Sequence, residues 1–67
     1  MLDLIDKMIA QCKDNGITPS EIVIHPSREK VLARELGLDP YTTNLALYKG
    51  LILIFDMSIP KDNIYVK

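Results

Sequence analysis

His25, Ser27 and Arg28 fall close together in "IVIHPSREKVLARELG", residues 22–37, where an apolar run gives way to a strongly helical one. An imidazole, a hydroxyl and a guanidinium at such a corner have two chemistries open to them. A serine beside a histidine begins a nucleophilic centre, provided that a third group orients the base and donors await the oxyanion. A hydroxyl and a guanidinium at a helix start can instead hold an anion, because free amides and the helix dipole are already there. The competing reading is structural. Pro26, lacking an amide proton, ends a strand, Ser27 caps the helix, and His25 packs or hydrogen-bonds at the seam. With one histidine and no glycine-rich phosphate loop in the chain, the structural corner is expected. His25, Ser27 and Arg28 stand as a candidate anion site, and no residue is assigned as catalytic.

Other chemical groupings have simpler explanations. Asp3 and Asp6 lie at the start of a helical pattern, where the dipole accounts for them. Lys30 and Arg34 share a helix face with Glu29 and Glu35 nearby, the pattern of a solvated surface. Tyr41, Tyr48 and Tyr65 lack the basic cluster that would make them base-stacking residues. Cys12 is the only cysteine and stands thirteen positions from the only histidine, which excludes an internal disulfide and does not supply a four-ligand zinc site. No cofactor or metal is implied.

Five elements must position these residues. Leu2, Ile5, Met8, Ile9 and Cys12 recur at helical spacing, which predicts a helix over 2–14 ended by Gly16, with Ile17 folding back. Ile22, Val23 and Ile24 predict a short strand. Ser27 then opens a second helix whose buried face is Val31, Leu32 and Leu36 with Ala33. Gly37 and Leu38 end it, and Pro40 prevents continuation. "YTTNLALY", 41–48, is ambiguous between loop, short strand and helical turn. "LILIF" predicts a strand, and "NIYVK" a closing one with Ile64 and Val66 on one face and Tyr65 on the other. The predicted fold is α+β: a single domain over 1–67, ordered helix-strand-helix-strand-strand, with two helices on one face of a three- or four-stranded mixed sheet. The first strand, second helix and next strand form a βαβ unit, and hairpin logic pairs the last strand antiparallel.

Composition narrows the function classes. At 67 residues and a net charge of −1, the chain has no positive field to draw it to nucleic acid or an anionic membrane. Asp3 and Asp6 interrupt what would otherwise be a signal-peptide start, and the longest apolar run is far short of the roughly 20 residues that span a bilayer. A cytoplasmic protein is expected, in a bacterial host cell or in a virion. A domain this small is reinforced by disulfides, metal or oligomerisation, and only oligomerisation remains.

The apolar strand points the same way. Leu51, Leu53 and Phe55 face one side of "LILIF" and Ile52 and Ile54 the other, so both faces are apolar. Two helices cover one face, with Phe55 expected beneath them. The other is left for the 41–48 loop, a second copy of the chain, or another protein. Ile52, Ile54 and Tyr65, with Met57 in the following turn, are the candidate partner interface.

The order of these signals resembles the C-terminal part of tailed-phage major capsid proteins. The resemblance rests on Val23-Ile24-His25-Pro26 followed by Leu32 and Leu36, then Tyr48-Lys49-Gly50-Leu51-Ile52, Ser58-Ile59-Pro60 and Asn63-Ile64-Tyr65-Val66, about two-thirds of the chain. The long spine helix, extended loop and N-terminal arm of that family have no counterpart here. The resemblance therefore implies a small phage-encoded relative, a virion accessory or interaction protein on the same α/β core. The function expected is a non-enzymatic interaction module, self-associating or docking on a host or virion protein. The alternatives are a capsid-related accessory protein and a small anion-binding or catalytic domain built on His25, Ser27 and Arg28.

Overall fold

The computed structural model describes residues 1–39, 41 and 45–67; the stop expected at Pro40 and the 42–44 part of the ambiguous segment lie outside the described residues. Helix α1 spans Leu2–Asp14, as its periodicity requires, and buries Ile5 and Ile9. It ends in a glycine motif in which the Gly16 N–H donates to the Lys13 carbonyl at 3.0 Å and the Ile17 N–H to the Cys12 carbonyl at 2.8 Å. The second helix, α2 (Glu29–Glu35), stops in the same way, with Gly37 donating to Arg34 at 3.0 Å and Leu38 to Ala33 at 2.9 Å. Both motifs satisfy carbonyls that a helix end would otherwise leave open.

Strand β1 (Glu21–Ile24) feeds a 3-10 turn, Pro26–Arg28, that leads into α2. Strands β2 (Leu47–Tyr48), β3 (Leu51–Phe55) and β4 (Ile64–Val66) complete the sheet. Its order is β2-β3-β1-β4, with β1 and β3 parallel and the β1–β4 and β2–β3 pairs antiparallel. The expected α+β architecture is therefore the observed one, with the ambiguous segment supplying β2. One neighbour differs. β4 is antiparallel to β3 but does not form a hairpin with it, because residues 56–63 carry the chain past the end of β1 and place β4 on β1's far side.

Lys49 and Gly50 join β2 to β3 with positive φ at both positions, 49° and 81°, the type I′ geometry whose twist matches a two-residue hairpin. Lysine is an uncommon residue there. Its side chain is anchored by Asp6 of α1 at 2.9 Å.

The core lies between the helices and one sheet face. Ile5, Ile22, Ile24 and Leu32 are fully buried, each contributing about 1.5–3 kcal/mol relative to an exposed position. Ile9, Tyr48, Leu51, Leu53 and Ile64 complete the cluster. Two expectations about this core need correction. Val31 is exposed, because it lies about 100° around α2 from Leu32, on the side away from the inward Ala33 and Leu36. Phe55, the last residue of β3, is only partly buried, although it still packs against the core.

Candidate functional site

The corner of β1 and α2 is built around His25 rather than Ser27. His25 takes extended backbone at the N-cap of the 3-10 turn, and its Nδ1 accepts the Ser27 N–H at 3.1 Å. Ser27 was expected to cap the helix; it lies instead inside the turn, and α2 itself has no side-chain cap. A nitrogen that accepts a backbone N–H carries no proton. The Ser27 hydroxyl, 2.8 Å from the same Nδ1, must therefore donate to it, and the neutral ring keeps its proton on Nε2.

This geometry uses up the groups an anion would need. Pro26 has no amide proton, Ser27 gives its own to the imidazole, and Arg28 gives its own to the His25 carbonyl at 3.0 Å. The Arg28 guanidinium meets the Asp62 carboxylate at 3.3 Å. His25, Ser27 and Arg28 are thus brought together, and their polar atoms are turned toward one another and toward Asp62. A nucleophilic serine would need its base oriented from the far nitrogen, and no described side chain bonds His25 Nε2.

Beside the corner, Asp56 leaves β3 with its N–H on the Ile24 carbonyl at 3.0 Å. Its carboxylate accepts the Ser58 hydroxyl at 2.6 Å and the Ser58 N–H at 2.8 Å, and these bonds hold it below the usual carboxylate range. The arrangement starts the turn toward β4.

Asp6 makes a second polar cluster. It accepts the Tyr48 hydroxyl at 2.7 Å and the Lys49 ammonium at 2.9 Å, which lower its carboxyl's pKa. Burial, and then Asp6, push the Tyr48 phenol up. Asp6 is therefore a tie between α1 and the β2–β3 hairpin, not the dipole partner its early position suggested; Asp3 alone sits in the first turn. Lys30 is likewise more than a solvated charge, lying 4.7 Å from the centre of the Tyr41 ring.

The sheet's other face is where apolar surface meets solvent. Strand parity puts Ile52 and Ile54 of β3 there with Val23 of β1 and Tyr65 of β4, in the register Val23 beside Ile54 and opposite Tyr65. Leu47 of β2 pairs with Ile52. Leu47 is 61%, Ile52 53% and Tyr65 42% exposed, whereas Val23, between two strands, is buried. Ile52, Ile54 and Tyr65 were expected together and are together; Met57 lies exposed in the connection after β3. Leu47 and Val23 were not anticipated. Alternation in "IVI" carries the signal for Val23, and recognition of "KG" as a hairpin turn would have carried it for Leu47. A cavity of about 470 Å³ is lined by Val23 and Tyr65 of this face with Asp56, Ile59 and Lys67, and also by Met8 and Val66, which pack against the core on the helix side.

Among the described residues no helix is long and apolar enough to cross a membrane. Comparison with protein-family models, curated proteins and solved structures finds no match to this chain, so its function is read from these surfaces alone.

Proposed function

We propose that this chain is a non-enzymatic protein–protein interaction module that docks through the helix-free face of its sheet. The observation that supports this most strongly is the row of Leu47, Ile52, Ile54, Val23 and Tyr65 across all four strands, three of them well exposed. The parallel pair β1 and β3 is apolar on both faces over Val23 and Ile54, the pattern of strands covered on both sides. Here the helices cover one. The row on the other is apolar, with Glu21 beside Ile52 at one end of it, and an apolar centre with a charged margin is the composition of an interface, whereas the corner at His25 satisfies its own polar groups.

A photo-crosslinking residue at position 52, compared with one at exposed Gln11 on α1, tests the reading. Crosslinked product is expected from position 52 and not from position 11, and Tyr65→Lys should remove it. Equal yield from both positions, or none from either, would refute docking on the open face.

A further inference from the structure

The two edges of the sheet differ in what they leave unpaired. Just beyond β4, Lys67 exchanges both backbone bonds with Glu21, at 2.7 and 2.9 Å. Bonded and unbonded pairs alternate along an antiparallel ladder, so the Val23–Tyr65 pair is bonded as well, and Ile64 and Val66 turn their N–H and C=O groups outward. The Cys12 thiol of α1 lies 3.8 Å from the Val66 carbonyl, whose oxygen keeps a second lone pair. Among the described residues no backbone group from outside the sheet bonds the other outward groups. The opposite edge, β2, is only two residues long.

Sheet edges are usually blunted by proline, by charge or by a bulge. Ile64-Tyr65-Val66 has no proline and no charge, and its register on β1 is unbroken. This edge is also complementary to itself. In an antiparallel copy centred on Tyr65, Ile64 stands opposite Val66 of the second copy and Val66 opposite its Ile64, so every outward group of the strand enters a reciprocal bonded pair. Tyr65 then faces Tyr65 of the second copy at an unbonded position, where side chains approach most closely, as an aromatic cross-strand pair.

Charge favours the same register. Lys67, which has Glu21 on one side, meets Asn63 of the second copy on the other, with the exposed Asp62 next along that chain. The basic end of each strand therefore lies against the acidic end of its mate. Moving the copy by two residues either way keeps only one reciprocal pair within the strands, and it sets Lys61 opposite Lys67 in one direction and Tyr65 opposite Lys67 in the other.

We infer that the β4 edge pairs with the β4 edge of a second copy, antiparallel and centred on Tyr65, joining the two four-stranded sheets into one. The contact is isologous and closes as a dimer. Its two-fold axis passes through the sheet, so both helix layers lie on one side and both apolar rows on the other. The open face is left free.

Single cysteines in a Cys12→Ser background read the register. Positions 63, 65 and 67 are all exposed, so the variants should stay folded, as circular dichroism would check. Under a mild oxidant Tyr65→Cys should form a disulfide-linked dimer by itself. Asn63→Cys and Lys67→Cys should each fail alone, since each lies about 13 Å along the strands from its own counterpart, and should link when mixed. In sedimentation equilibrium the unmodified chain should move between 7.6 kDa and twice that mass with concentration, and no further. Val66→Pro removes an outward N–H while sparing the bonds to β1, and should stay at 7.6 kDa; if it does not fold, the disulfides decide. No disulfide at position 65, equal linking by all three cysteines alone, or an unmodified chain that grows beyond a dimer overturns the pairing. A position-65 disulfide with no photo-crosslink from position 52 would uphold the dimer and refute docking on the open face.

Discussion

Replacing His25 by alanine removes the acceptor that holds the Ser27 N–H at 3.1 Å and the Ser27 hydroxyl at 2.8 Å. Loss of an N-cap acceptor costs about 0.5–2 kcal/mol. Ser27 is exposed, so water takes over the freed amide and the cost should sit near the middle of that range, about 1 kcal/mol. Ser27→Ala removes only the hydroxyl bond, leaves the backbone cap in place, and should cost less than about 0.5 kcal/mol. For a small domain with a urea m-value of about 1 kcal/mol per molar, the unfolding midpoint should fall by about 1 M for His25→Ala and hardly move for Ser27→Ala. Nitrogen NMR of the ring gives an independent readout, since the geometry requires the neutral imidazole to carry its proton on Nε2. The reverse order of midpoints, or a proton on Nδ1, would refute the assignment of His25 as the cap. A fully stable Ser27→Ala that lost a measurable activity would return the corner to chemistry.

Leu32→Ala should be the costlier core truncation, at about 2–5 kcal/mol, and Phe55→Ala the milder despite its larger ring, because Leu32 is fully buried and Phe55 is not; equal urea shifts would contradict this depth profile. Asp6, Glu35 and Asp56 all have folded-state pKa values below their ordinary 3.8, 4.5 and 3.8, so each contributes stability above its ordinary value that is lost as pH falls through the folded one. The urea midpoint should accordingly drop below about pH 4, and Asp6→Asn should flatten part of that drop. Gly50→Ala should cost about 1–2 kcal/mol from positive φ alone, since a Cβ there would meet nothing within 4 Å; a neutral result would mean that the hairpin turn is not type I′.

Regular local patterns were legible in the sequence. The spacing of Ile5 and Ile9 gave the bounds of α1, "LILIF" gave β3 and its parity, and the Gly16 and Gly37 stops appear as hydrogen-bonded motifs. What was missed depends on partners distant in the chain. Asp6 looks like a dipole residue until the hairpin brings Tyr48 and Lys49 to it from 42 and 43 positions away. "KG" hides a turn because a lysine at positive φ is uncommon without such an anchor. The place of β4 beside β1 follows from the path of residues 56–63 past a strand end, which periodicity does not encode. The outward face of β3 and β4, with Ile52, Ile54 and Tyr65, was readable from alternation, whereas Val31 reads as core until Leu32 and Ala33 set the inward direction of α2 and leave it about 100° to the outer side.

The strand order also governs when this chain can fold. β1 is central, yet both its neighbours, β3 and β4, lie in the last third of the chain. During synthesis the earliest strand waits, unpaired on both sides and apolar on both faces, until β3 has been made. No fragment that ends before β2 contains a sheet, so α1, β1 and α2 have little to gain by ordering early, and closure falls to contacts of long sequence separation. Such pairing is slow for a chain of this size, and losing even the last few residues would leave β1 at a sheet edge, its apolar row open to any other unpaired strand.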